Sequence, residues 1–278
     1  MTVELATCSL NSITVKNAPL SQLVELAVRH GFGGVGLWRD TYTDVRIAVA
    51  ARRIRDAGLR VSSVCRGGMF PQPTAELRAR RRDDNLRAVE EAHTLGADCL
   101  VLVCGPANDR DLASARAQIR DGIGDLVPDA AAAGVRLAIE PMHPMMAADR
   151  SAITSLTEAN DLVETLASPW VGLTVDAYHV WWDVALADQP VRGTDALFSV
   201  QVADWVLPIH GQLSSRGMPG EGCVDLRRFV ELARRCGYRG LVEVEVLRDR
   251  WWATDPVEAA RVAVAGLQAL AQPSAIPN

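Results

Sequence analysis

No apolar run in this sequence approaches the ~18 residues of a membrane span. The opening, MTVELATCSLNS, also lacks the charged leader and apolar core of a signal peptide. Both absences predict a cytoplasmic protein with no membrane partner. Positive charge is not in surplus either: 29 Lys and Arg face 34 Asp and Glu, a net charge of −5. The densest basic stretch, RARRR from Arg78 to Arg82, runs straight into Asp83 and Asp84. It reads as a solvated helix start, because nucleic-acid binding needs a broader positive surface. The six cysteines show no CxxC spacing and lie mostly within apolar runs, which argues for reduced, buried thiols rather than disulfides or zinc. No GxxxxGK[ST] loop occurs, and no nucleotide-phosphate loop is expected.

What is present is a period. A helix-like stretch ends near a glycine and an apolar run follows, as in VRHGFGGVGLW, RDAGLRVSSVC, HTLGADCLVLV, AAAGVRLAIE and RRCGYRGLVEVEV. Glycine accepts the left-handed conformation that closes a helix, so each copy reads as helix, cap, strand. LASPWVGLTVD repeats the pattern with Ser-Pro as the stop. With VELATCSL and LFSVQVA, eight strands are predicted, at about 3–10, 33–38, 60–66, 97–103, 135–140, 171–176, 197–203 and 241–247. Between them lie amphipathic stretches such as LSQLVELAVRH and VDLRRFVELARRC. The α/β fold expected is a single (β/α)8 TIM barrel over 1–270, followed by a flexible C-terminal tail, 271–278. The length of 278 residues suits one such barrel of roughly 250. An open doubly wound sheet usually has fewer strands.

Several of these strands end in oxygen donors. Glu140 closes VRLAIE, Asp176 closes VGLTVD, Gln201 lies near the tip of FSVQVAD, and Glu245 sits in LVEVEVL. Alternate residues of a barrel strand face inward. Val242, Val244 and Val246 share the helix-facing side, which turns Glu243 and Glu245 inward; the same parity turns Gln201, Glu140 and Asp176 inward. Buried carboxylates need a cation or protons. Ion pairs with arginines such as Arg66 or Arg248 would supply one answer. One divalent ion, Mn²⁺ or Mg²⁺, held by Glu140, Asp176, Gln201 and Glu245, would supply the other, since these are hard ligands. Around that point, His179 would offer a neutral donor to a substrate hydroxyl, and His143 follows Glu140 on the same loop. Trp38 could stack on a flat ligand face, and Arg66 and Arg216 could clamp a carboxylate, phosphate or hydroxyl pair. Glu243, one layer deeper, is expected in a buried ion pair. His30, His93 and His210 read as helix-end and loop residues.

Taken together, Glu140, the Asp176-Ala177-Tyr178-His179 motif, Gln201 three residues before Asp204, the Pro219-Gly220-Glu221-Gly222 loop followed by Asp225, and Glu245 resemble the xylose isomerase-like sugar isomerase and epimerase barrels. Ketose 3-epimerases and inosose isomerase belong to that family, and VEVEVLRDRWW is most similar to the latter. The resemblance implies a metal-dependent isomerase or epimerase acting on a small keto-sugar or keto-cyclitol. It also implies that Glu140 and Glu245 are the acid and base that move a proton through an enediolate. A lyase or dehydratase using the same chemistry is the alternative. An abasic-site endonuclease of this barrel type would need a His-rich zinc cluster and a basic face, which five histidines and a charge of −5 do not offer. Gln201 departs from the family, where His is usual; an amide oxygen suits harder ions. No glycine-rich phosphate cradle is evident, which favours an unphosphorylated substrate. A homo-oligomer is compatible with all of this.

Overall fold

Left-handed glycines set the period of the chain. Gly96 (φ 64°) and Gly134 (φ 68°) close their helices by donating N–H groups to carbonyls of the last turn, and a strand begins a few residues later in each case. The computed structural model describes residues 4–107, 111–188, 191–193, 195–212 and 214–270; the expected tail, 271–278, lies outside the described residues.

Eight parallel strands close a barrel: β1 (Cys8–Asn11), β2 (Gly34–Trp38), β3 (Arg60–Gly68), β4 (Leu100–Val103), β5 (Leu137–Ile139), β6 (Val171–Asp176), β7 (Leu197–Val202) and β8 (Val242–Val244). Each pairs with its neighbour in sequence, and β8 returns to β1. The helices around them are α1 (Leu20–His30), α2 (Ile47–Asp56), α3 (Ala75–Leu95), α4 (Leu112–Ala133), α5 (Leu156–Leu166), α6 (Leu226–Arg235) and α7 (Pro256–Ala269). Each turns one face to the barrel: α6 buries Leu226, Phe229, Val230 and Ala233, the spacing of a single helical stripe. Between β6 and β7 the long helix is replaced by two short ones, Ala177–Val180 and Ala185–Asp188. No helix among the described residues is long and apolar enough to cross a membrane.

The expected barrel is present, with shorter strands than the apolar runs implied. Residues 3–10 were expected as strand one, but a 3-10 turn, Leu5–Thr7, precedes β1. Ala97 makes only an isolated bridge to Val61 before β4 begins. β8 ends early because the N–H of Val246 donates to Thr14 Oγ1 rather than to a neighbouring strand. One unexpected feature is an antiparallel pair, Asp204–Trp205 with Arg216–Gly217, which folds the loop after β7 back on itself. Cys8, Cys65, Cys99 and Cys104 are buried, as expected of free thiols, whereas Cys223 is exposed and Cys236 half-buried.

The outward faces of the strands carry the apolar core, including Leu10, Leu37, Leu102, Ile139, Val200 and Val244, all fully buried. The inward faces are polar. Ser9, Asn11, Ser63, Thr174, Asp176, Ser199, Gln201 and Glu243 are all buried, where barrels of this kind usually stack branched apolar side chains.

Candidate metal and substrate centre

The site is built on Glu243, at the bottom of this polar interior. Its carboxylate accepts from Asn11 Nδ2 (2.6 Å), Ser62 Oγ (2.5 Å), Ser63 Oγ (2.8 Å) and Gln201 Nε2 (2.9 Å). A register shift beside β3, where Val35 pairs with Val61 but Gly36 with Ser63, lets two consecutive serines reach one carboxylate. Gly36 leaves the necessary room, since a Cβ there would stand 2.5 Å from the carboxyl group. The expected buried ion pair at Glu243 is therefore not found; among the described residues, neutral donors take its place.

Glu243 in turn orients Gln201, its register partner on β7. Reversing the amide would set its oxygen against the carboxylate, so Nε2 faces Glu243 and Oε1 faces away. Gln201 Oε1 is buried with no hydrogen-bond partner. A sealed, unmatched acceptor is costly, and a cation would match it.

Above this layer, Asp176 ends β6 while Glu140 and Glu245 directly follow β5 and β8, and all three are nearly fully buried. Asp176 lies beside Gln201 in the register and caps the helix Ala177–Val180 by accepting from the N–H of Tyr178 (2.9 Å). Glu245 accepts from Trp38 Nε1 (2.9 Å) and Asn11 Nδ2 (3.2 Å). The cation expected from Arg66 or Arg248 comes instead from Arg216. Its Nη1 donates to Asp176 Oδ2 at 2.7 Å and lies 3.5 Å from Glu245 Oε2, and its guanidinium stacks over Tyr178 at 4.6 Å. Arg248 pairs with Glu221, and Arg66 forms no ion pair among the described residues.

Asp204 secures Arg216 indirectly. Its carboxylate accepts from the N–H groups of Trp205 (2.8 Å), Gly220 (3.0 Å) and Val224 (3.0 Å), fixing the Pro-Gly-x-Gly loop that follows Arg216.

Burial, then the charges of Glu245 and Asp176, push the Glu140 carboxyl well above its ordinary range. Burial also pushes Glu245 up to about 7, against the lowering effect of Arg216. Among the described residues the guanidinium of Arg216 is the one permanent cation ion-paired with the cluster of Glu140, Asp176, Glu243 and Glu245.

His179 stands beside these acids. Nε2 is 3.9 Å from Glu140 Oε1 and 3.8 Å from Asp176 Oδ2, and an atom from each of the three residues falls within 4.8 Å of the others. Proximity alone would make His179 a metal ligand. Its hydrogen bonds argue otherwise. Both ring nitrogens face donors, the N–H of His143 at Nδ1 (3.2 Å) and Arg216 Nη2 at Nε2 (2.9 Å). A neutral imidazole accepts at only one nitrogen, and burial, followed by the charges of Arg216 and His143, keeps this ring neutral. Whichever nitrogen carries the ring hydrogen, the Nε2 lone pair is either absent or engaged by Arg216, so Nε2 does not offer it to a metal ion. His179 is then a neutral ring held beside the acids by Arg216 and the His143 N–H.

Of the remaining candidates, Trp38, Arg66, Arg216, Glu140 and Glu245 line one cavity of about 190 Å³, with Lys16, Cys65 and Arg150 in the same wall. That is smaller than the ~300–1,000 Å³ of drug-sized sites, as a small substrate requires. His143 is not in the wall; it packs on Trp205 (5.0 Å) and Trp182 (5.5 Å) and holds His179. Sequence reasoning missed Arg150, which lies in the loop MMAADRS with no periodicity to flag it. It also missed the Asn11, Ser62 and Ser63 cage, for which the inward parity of β1 and β3 was the available signal.

The chain is similar to protein SMc04130 from Sinorhizobium meliloti 1021, whose crystal structure superposes with a TM-score of 0.92 at 37% identity, covering 97% of this chain and all of that one (100%). It superposes on the IolI protein with bound zinc at a TM-score of 0.83 and 19% identity, over 95% of this chain and 98% of the other. A 3-dehydroshikimate dehydratase of Pseudomonas aeruginosa is 29% identical over 269 residues, 90% of this chain, although the chain spans only 39% of that protein's length. The match to the family covers residues 24–272, and by it the chain belongs to the xylose isomerase-like TIM barrel family.

Proposed function

We propose that the chain is a divalent-metal-dependent isomerase or epimerase of a small keto-sugar or keto-cyclitol. One observation carries this reading: the C-terminal ends of four adjacent strands, β5 to β8, turn Glu140, Asp176, the unmatched Gln201 Oε1 and Glu245 into the buried barrel interior. These oxygen donors fit a hard ion such as Mn²⁺ or Mg²⁺. When bound there, the ion would act as a Lewis acid on the substrate carbonyl, acidifying the neighbouring C–H.

The protein's own groups divide the remaining work. Glu140 and Glu245 approach from strands that have β6 and β7 between them, so one can take a proton from a substrate carbon and the other return it. Trp38 and Asn11 hold the Glu245 carboxylate in place, and a pKa near 7 suits proton transfer at neutral pH. Nothing among the described residues donates a hydrogen bond to Glu140, which leaves its oxygens free for metal and substrate. His179 would present a neutral ring to a substrate oxygen. Return of the proton to the opposite face gives an epimer; return to the adjacent carbon gives an isomer.

A dehydratase is the second reading, favoured by the Pseudomonas relative. Incubating Mn²⁺-loaded protein with keto-sugars and inososes in deuterated solvent separates the two. Deuterium in recovered or isomeric keto-sugar is the expected result. A product that has lost water moves the assignment to the lyase, and exchange that persists after complete metal removal rules out the metal-dependent reaction.

A further inference from the structure

The cavity holds two arginines that the proton-transfer chemistry does not use. Arg66, on β3, and Arg150, in the loop after β5, both line it. Among the described residues Arg66 has no ion-pair or hydrogen-bond partner. Arg150 has only its neighbour Asp149, at 3.7 Å and half exposed, and its Nε is buried without a hydrogen bond. The other acids in the cavity wall, Asp40, Glu140 and Glu245, pair with neither arginine.

Burial and, beyond it, the charges of Arg150 and Arg81 hold the Arg66 pKa below its ordinary value. The two guanidiniums therefore repel each other across the cavity. Asp84, whose charge also acts on Arg66, is committed elsewhere, to Arg39, Arg81 and Arg87.

Both arginines stand on fixed backbone. Arg66 is within a strand, and Arg150 is held by its N–H to Met146 O (2.9 Å) and by Gly105 N–H to its own carbonyl (2.9 Å). Two half-buried guanidiniums in one small cavity, neither paired with an acid of its wall, are arranged for planar, charge-assisted recognition of an oxyanion.

We propose that the substrate carries an anionic group, a carboxylate or a phosphate ester, seated between Arg66 and Arg150 while its carbonyl end meets the Glu140 and Glu245 side. This rests on the reaction proposed above for the same cavity. It narrows the substrate from any keto-sugar to an acidic one, and the lack of a glycine-rich phosphate cradle places the carboxylate first.

The test compares three ligands of matched carbon skeleton by calorimetry on the metal-loaded protein: a keto-hexuronate, the neutral ketohexose, and its phosphate ester. Tighter binding of an anion by about tenfold or more is expected, and whichever anion binds tighter identifies the group. A metal ion could itself favour an anion, so the variants decide. Arg66→Met and Arg150→Met should each reduce the preference for the anion about tenfold, the pair should abolish it, and the Arg→Lys versions should restore part of it and control for folding. Equal binding of the neutral sugar, or a preference that survives both substitutions, overturns the proposal. Retained anion selectivity without proton exchange from any of the three would count against the proposed reaction and leave the anion seat standing.

Discussion

Single residues carry the chemistry because each does one thing that its neighbours cannot. Glutamine in place of Glu140 or Glu245 keeps an oxygen donor but removes the base. E140Q and E245Q should fold and retain some metal, yet lose solvent exchange of the substrate α-proton by on the order of 10²- to 10⁴-fold. A variant within a few-fold of the parent would reduce that glutamate to a ligand. Gln201 tests the metal from the other side. Imidazole suits softer ions better than an amide oxygen does, and Glu243 already stands where it could accept from the second ring nitrogen, the arrangement that fixes metal-bound histidines. Gln201→His should therefore strengthen Zn²⁺ or Co²⁺ binding in titrations of the folded protein. Glu243→Gln, which removes the reason for Gln201 to point its oxygen away, should cost roughly 10–100-fold in metal affinity. Unchanged affinity in both would take Gln201 out of the ligand set.

At the scale of elements, the barrel could be read from the sequence because its signals are local: apolar runs, helical stripes and closing glycines each occupy a few consecutive residues. The inward direction of Glu140, Asp176, Gln201 and Glu245 followed from the two-residue period alone. The partner of the buried acids did not, since Arg216 arrives from a two-residue strand too short for any period, and Arg150 from a turn. The cross-element clamp of Arg39 was equally hidden. Arg39, just after β2, donates to Glu91 on α3 through Nε (2.8 Å) and Nη2 (2.7 Å), Tyr42 Oη adds 2.7 Å to the same carboxylate, and Asp84 lies 3.3 Å from Nη1. Burial raises the Glu91 pKa, but hydrogen bonds from Arg39 and Tyr42 outweigh it and hold the group below its ordinary 4.5; Asp84 is likewise held below 3.8. A depressed carboxyl pKa adds stability above the unfolded value that disappears as pH falls through the folded one. Arg39→Met should thus be less stable than the parent above about pH 5, with the two converging as pH falls through the lowered folded values of Glu91 and Asp84. Denaturant unfolding across that range checks it, and parallel curves would show that the clamp is not linked to protonation.

For the molecule as a whole, the polar barrel interior is the feature that most needs compensation. A barrel filled with branched side chains gains stability from its centre, whereas this one places Glu140, Asp176, Glu243 and Glu245 there against the single guanidinium of Arg216. Replacing one member of a buried charge cluster is costly because the others are left uncompensated. A divalent ion bound by the native barrel alone would stabilise the entire fold, since the ligands come from four strands that separate on unfolding. At a free ion concentration a hundred times Kd, the gain is ~2.7 kcal/mol, and for a chain of this size that corresponds to a rise in Tm of roughly 5–10 °C. Calorimetry after dialysis against a chelator should show the lower Tm, and Mn²⁺ or Mg²⁺ should restore it. Gln201→Leu, which removes the unmatched carbonyl oxygen and with it one ligand, should shrink the increment, and because it also deletes the Nε2 bond to the buried Glu243 carboxylate the metal-free protein should melt no higher than the parent. A Tm that does not respond to either ion would mean that Arg216 and protonation of Glu140 meet the charge demand between them, and that the four strand ends do not form a metal site.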